Sequence, residues 1–149
     1  AVKGGALAIN MPMVDGRWIG GTLTNFGQIR KRVEKLEKLT TEREKGELAK
    51  YTKKERLLID REIAKLEQLF SGVVSMKELP KALFIIDPKK EKSAVKEAQD
   101  MNIPVIAVSG SDCDIKGIDY PIVGNDASQT SIQFFTQEIT KAYSEAKKA

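Results

Sequence analysis

Histidine is absent from the 149-residue chain, and cysteine and tryptophan each occur once. Without an imidazole there is no Ser-His or Cys-His nucleophile, no histidine acid–base step and no histidine-bound metal. The single thiol, Cys113, can build neither an intrachain disulfide nor a zinc site, and its isolation points to a reducing compartment. No apolar run approaches the roughly 18 residues that a membrane span requires. The opening AVKGGALAIN has no basic stretch leading into an apolar core, the pattern of a signal peptide. Carboxylate and lysine chemistry stay open; most familiar hydrolase chemistry does not.

What is present is charge. The chain is 31% charged and 41% hydrophobic, a soluble globular mixture at the length of one ordinary domain, with a net charge of +4. That net charge is weak as a sign of polyanion binding, so its distribution matters more. Residues 28–70 hold 13 Lys or Arg against 9 Asp or Glu, whereas residues 1–27 contribute +1 and residues 71–149 contribute −1. The excess sits in the middle segment.

The middle segment reads as two amphipathic helices. Phe26, Ile29, Val33, Leu36 and Leu39 recur at spacings of 3 and 4, and after a break near Gly46 the pattern resumes at Ile59, Ile63, Leu66 and Phe70. Thr52 with Glu55 fits a capping box that starts the second helix, and Asn25 with Gln28 is expected to cap the first in the same way. Each apolar seam is narrow and each outer face heavily charged, which predicts an antiparallel helical hairpin projecting from the body. The alternative is a solvated charged bundle that meets no partner.

Elsewhere strands and helices alternate. Residues 82–86 (ALFII) and 104–108 (PVIAV) are continuous apolar runs of the kind buried in parallel sheets, and residues 120–123 (YPIV) form a short third strand. Helices are expected over residues 93–101 and about 128–147, and Leu7 to Val14 is expected to be a fourth strand. The fold class is therefore α/β, a parallel sheet flanked by helices, with the hairpin inserted between strands.

Ligands of such sheets favour the carboxyl ends of the strands. Asp87, the pair Asp112 and Asp114, and Gly124-Asn125-Asp126 stand there. Asp87 could be a nucleophile or metal ligand, but Lys89 occupies the place where a second carboxylate would help, so stabilisation of its own loop is preferred. Two loop carboxylates are a weak cation signal, and Asp126 would repel a phosphate at the following helix, so ordinary capping is preferred there. The basic residues say more. Arg30, Lys31 and Arg32 stand in the first turns of the first long helix, and Lys53 and Lys54 open the second, where cations oppose the helix dipole. Phosphate contact and simple solubility both account for them.

Residues 16–26 (GRWIGGTLTNF), followed by a basic helix, closely resemble the small-subunit ribosomal protein S-two family. The resemblance extends through Lys50-Tyr-Thr-Lys-Lys-Glu55, through residues 80–87 with Glu91, Val95, Glu97 and Asn102-Ile-Pro104, and through residues 119–126. It implies a Rossmann- or flavodoxin-like sandwich over residues 1–25 and 71–149, with a protruding antiparallel coiled-coil hairpin over 26–70. It implies a structural, non-catalytic constituent of the cytoplasmic small ribosomal subunit, an organelle being an open alternative. No cofactor or metal is implied. The implied partners are small-subunit ribosomal RNA and neighbouring ribosomal proteins, among them the mRNA-capturing protein S-one in bacteria, with no membrane and no DNA.

On that resemblance, Arg17, Thr24, Asn25, Arg30, Lys31, Arg32, Lys53 and Lys54 are the expected RNA-binding residues. Trp18 with Gly20 and Gly21 forms a structural corner, Trp18 packing between sheet and hairpin while the glycines let the backbone turn and approach another surface. The alternative for Trp18 is stacking on a base. Two other functions remain as alternatives: a small phosphate-binding domain or enzyme using the Asp87 and Asp126 loops, and a module whose hairpin grips a protein. Against the family pattern the N-terminal third, with its His-Phe-Gly-His-like signature and an early strand, is missing. The chain is therefore expected to be a piece of a longer protein, with an unpaired sheet edge.

Overall fold

The computed structural model describes residues 2–148. Its elements are α1 (Val2–Ala8), α2 (Phe26–Glu44), α3 (Lys53–Phe70), β1 (Leu83–Ile86), α4 (Lys92–Asp100), β2 (Val105–Ser109), β3 (Tyr120–Val123) and α5 (Gln129–Lys148), with short 3-10 turns at Glu47–Lys50 and Ser71–Val73. The three strands form one parallel sheet in the order β1-β2-β3, with Ile85 opposite Ala107 and Val108 opposite Ile122. Among the described residues no helix is long and apolar enough to cross a membrane.

Two apolar clusters hold these elements. In the first, Ala94 and Ala98 of α4 lie on Ile85, Val105 and Ala107 of the sheet, closed by Leu23, Ile103 and Ile118. Small residues on α4 allow this close approach. The second cluster joins Ile29, Val33 and Leu36 of α2 to Ile63, Leu66 and Phe70 of α3, with Val73 and Met76 beyond. Its members are the apolar positions that the 3–4 spacing picks out, because burying that stripe is what makes two such charged helices pair.

Local signals explain where the helices begin and end. The Thr52 side chain accepts from the Glu55 amide while the Glu55 carboxylate accepts from the Thr52 amide, closing the expected box. The cap expected of Asn25 does not form. Asn25 makes no side-chain cap bond, because residues 21–25 already turn (the Asn25 amide donates to the Gly21 carbonyl) and its backbone is not extended. Asn102 ends α4 in a left-handed conformation at φ 54°, with Ile103 N–H donating to Ala98 O and Asn102 N–H to Gln99 O, the doubly bonded C-terminal motif of helices.

The strand expected from Leu7 to Val14 is not there, so all three strands follow the helical pair, which is not inserted between strands as expected. Residues 2–8 are helical and residues 11–15 irregular. Asn10, at φ 55°, closes α1 with the same motif that closes α4, through Met11 N–H to Ala6 O and Asn10 N–H to Leu7 O. A seven-residue helix is unstable alone, so tertiary contact decides. Gly5 lies so near α5 that a β-carbon there would come within 2.5 Å of the Thr136 methyl.

Candidate nucleic-acid interface

Residues 16–25 link the two clusters. Trp18 packs on the sheet-side cluster and its neighbour Ile19 on the helical-pair cluster, so adjacent side chains divide between the two cores. Gly21 takes φ 89°, a conformation that favours glycine, while Gly20 is exposed and a β-carbon on it would meet nothing within 4 Å.

A buried carboxylate fixes this link. Glu97 of α4 is 8% exposed. Its Oε1 accepts from the Trp18 indole N–H at 3.0 Å and the Gly21 amide at 2.7 Å. Its Oε2 accepts from the amides of Leu23 and Thr24 at 2.9 and 3.2 Å and from the Thr24 hydroxyl at 3.3 Å. Burial pushes the Glu97 pKa up, but the hydrogen bonds from Leu23, Trp18, Gly21 and Thr24 together outweigh it and hold the group below its ordinary 4.5. An ionised carboxylate in a ring of donors is the arrangement by which a buried charge is tolerated.

The expected RNA-binding residues separate into two kinds. Thr24 is tied to Glu97, and Arg30 Nη1 donates to the carbonyls of Val74 and Met76 at 3.2 and 3.3 Å, holding the segment after α3 against α2. Arg17, Lys31, Arg32, Lys53 and Lys54 are exposed and take part in none of the ion pairs found among the described residues. Lys31 and Arg32 thus stand uncompensated in the first turns of α2.

The fold adds residues that spacing did not single out. A groove of about 740 Å³ opens where α2, α3 and the link meet. Asn25, Gln28 and Arg32 line one side, Arg61 and Lys65 the other. Arg61 and Lys65 lie in the charged exterior of α3, where nothing in the local sequence sets them apart from their neighbours. Glu97 was visible only as one position of a family motif; no local signal marks a helical glutamate as the partner of a segment more than 70 residues away.

The strand-end loops are internally occupied. Asp87, at φ 57°, accepts from the Lys90 amide and pairs with Lys90 Nζ at 2.8 Å. Asp126 accepts from the Gly110 amide at 2.9 Å and lies 3.6 Å from Cys113 Sγ. Donor atoms of Asp87, Cys113 and Asp126 fall within 4.8 Å of one another, with both Asp87 oxygens bonded to Lys90 and one Asp126 oxygen bonded to the Gly110 amide. Asp112 is pulled below its ordinary pKa by the hydrogen bond from Lys89, the opposite of what a proton-donating acid needs. Asn125 Oδ1 accepts from the amides of Ala127 and Ser128, a local turn that precedes α5 at Gln129, and Asp126 is bonded to Gly110, so neither side chain caps the first turn of that helix as the loop's composition suggested.

A parallel sheet covered by α4, joined through a carboxylate-locked link to a pair of helices with a modest excess of basic residues, defines an α/β protein. The sequence comparisons place it more closely. The family model described as ribosomal protein S2 matches residues 1–146, and the chain belongs to that family. Among curated relatives, the small ribosomal subunit protein uS2 of Sulfurimonas denitrificans is 46% identical over 147 residues, 99% of this chain and 57% of the relative. The proteins of the same name from Campylobacter concisus and Helicobacter acinonychis are each 44% identical, over 147 and 142 residues, covering 99% and 95% of this chain and 56% and 58% of the relative. The chain thus spans somewhat more than half the length of the curated relatives it matches.

Proposed function

We infer that this chain is a structural constituent of the small ribosomal subunit that holds ribosomal RNA and neighbouring proteins and performs no catalysis. The observation that carries the reading is the family match along residues 1–146 of a chain whose cations at Arg17, Lys31, Arg32, Lys53 and Lys54 stand exposed and outside the ion pairs found among the described residues. Phosphates are the partner that offsets such an arrangement, by charge and by release of counterions.

In this reading residues 1–25 and 71–149 form a sandwich of the Rossmann or flavodoxin type, and residues 26–70 an antiparallel coiled-coil hairpin standing out from it. The shared seam of α2 and α3 and their charged outer faces support the hairpin. Arg17, Lys31, Arg32, Lys53 and Lys54 touch phosphates, while Thr24, Asn25 and Arg30 shape the surface from which they reach. Trp18 is structural, since its one polar atom is committed to Glu97. The subunit is cytoplasmic, and in bacteria the mRNA-capturing protein S-one is among the neighbours.

The test is binding of the chain to small-subunit ribosomal RNA across a salt series, beside a variant with Arg17, Lys31 and Arg32 changed to Gln. Arg30 is left in place because it holds two carbonyls. Steep salt dependence that flattens in the variant is expected. An unchanged curve would move the RNA face elsewhere, and absence of binding would sink the reading for this chain taken alone.

A further inference from the structure

The groove between α2, α3 and the link has two unlike halves. Its inner wall is apolar: Ile19 and Leu69 are half-buried over a floor of buried Ile29, Leu66 and Phe70. Its mouth carries Arg32, Arg61 and Lys65, all exposed and all outside the ion pairs found among the described residues. The one acid on the lining, Glu62, is paired with Lys35. The exposed carboxamide residues Asn25 and Gln28 also line the groove.

Each half excludes a simpler ligand. A bare phosphate would use the three cations and leave the apolar wall in water. An apolar side chain of a protein would fill the wall and leave three cations without a counter-charge. A duplex presents its phosphates on a convex surface and cannot enter a concavity of this volume. One unstacked nucleotide uses all of it: an apolar face for the base, carboxamides that both donate and accept along the base edge, and cations for the phosphate. The volume of about 740 Å³ lies within the roughly 300–1,000 Å³ of sites that hold a small organic ligand.

The geometry points to this groove as a binding site for a single unpaired nucleotide of RNA, its base on Ile19 and Leu69, its edge read by Asn25 and Gln28, and its phosphates held by Arg32, Arg61 and Lys65. This rests on the RNA-binding reading above and deepens it, because it names single-stranded RNA as what the base of the helical pair receives. Gly20 lines the same groove, and a β-carbon added there meets nothing within 4 Å. A small side chain at this position therefore narrows the groove from a point where the backbone leaves open space.

Isotope-labelled protein is titrated with each of the four nucleoside 5′-monophosphates and, separately, with inorganic phosphate, and resonances of Ile19, Asn25, Gln28 and Leu69 are followed. Nucleotides are expected to shift all four residues, while phosphate shifts only the neighbourhood of Arg32 and Lys65. In parallel, affinity for small-subunit ribosomal RNA is measured for Gly20→Val and for Arg61→Gln with Lys65→Gln, after their urea midpoints show intact folding. Each is expected to lose about tenfold in affinity, and the double variant to lower the salt slope by about 1 to 2. Identical shifts from phosphate and nucleotides would overturn the base-binding assignment. RNA affinity unchanged in both groove variants but reduced by Arg17→Gln with Lys31→Gln would overturn the groove and leave the RNA-binding reading standing. Wild-type protein that binds no RNA would overturn both.

Discussion

Trp18 donates its indole N–H to Glu97 across 3.0 Å, although 79 positions separate them in the chain. The bond belongs to a ring of donors supplied by residues 18 to 24, which Glu97 gathers from the middle of α4. Through that ring a helix on the sheet fixes the start of α2, and with it the direction of the basic helical pair.

Glu97→Gln is therefore expected to be costly despite its small change in shape. A carboxamide retains one acceptor oxygen, so its amino group must face either Trp18 and Gly21 or Leu23 and Thr24. Two or more donors that are at least partly buried lose their partner, at up to about 1 to 3 kcal/mol each. A urea-unfolding series should show a loss of about 3 kcal/mol, and a loss below about 0.5 kcal/mol would mean that Glu97 does not lock the link.

The same group sets a pH dependence. Its folded pKa lies below its ordinary 4.5, so its stabilisation is present in full above that value and is lost as pH falls through the lower folded pKa. Urea midpoints of the wild type should fall from pH 5 towards pH 3, and Glu97→Gln should remove part of that slope. Parallel slopes in the two proteins would assign the acid sensitivity to other carboxylates.

Arg30 and Arg32 should separate cleanly in a paired experiment. Arg30→Ala removes the donor that the Val74 and Met76 carbonyls share, with an expected cost of about 1.5 to 3 kcal/mol. Arg32→Ala is expected to change stability by less than about 0.5 kcal/mol, as surface substitutions do, yet to reduce the salt slope of RNA binding by about 0.7 to 0.9. Equal effects of the two on stability would refute the division of labour.

Gly72→Ala probes how the segment before the link is seated. The Met13 amide donates to the Gly72 carbonyl at 2.8 Å, and a β-carbon on Gly72 would be driven into the Met13 backbone carbonyl. Backbone cannot swing aside as a side-chain tip can, so an overpacking cost of about 1 to 3 kcal/mol is expected. Amide hydrogen exchange should be fastest, relative to wild type, around residues 11–15 and 70–74.

The three strands, α4, α5 and the start of α3 could be read from the sequence because each depends on neighbours within a few residues. An apolar run in a sheet, a seam at spacings of 3 and 4, and Thr52 with Glu55 all act over one or two turns of chain. The Asn25 cap failed for a local reason that spacing does not report, since the residues before it had already turned. The strand expected after Leu7 failed for a distant one, because α5 accepts Gly5 at close range and stabilises a helix too short to persist alone.

By itself the sequence determined the parallel α/β class, the basic character of the middle segment and the motifs that identify the family, since composition and periodicity are properties of short stretches. Which charges serve the fold, and which stay outside the ion pairs of the described residues, depends on packing between distant segments. Arg30, Lys31 and Arg32 are alike as text, but a helix turns each residue by about 100°, so one guanidinium meets two carbonyls while its neighbours face solvent. Glu97 likewise reads as one acid among many until the fold surrounds it with donors from a segment more than 70 residues away, where removal from water makes those bonds matter.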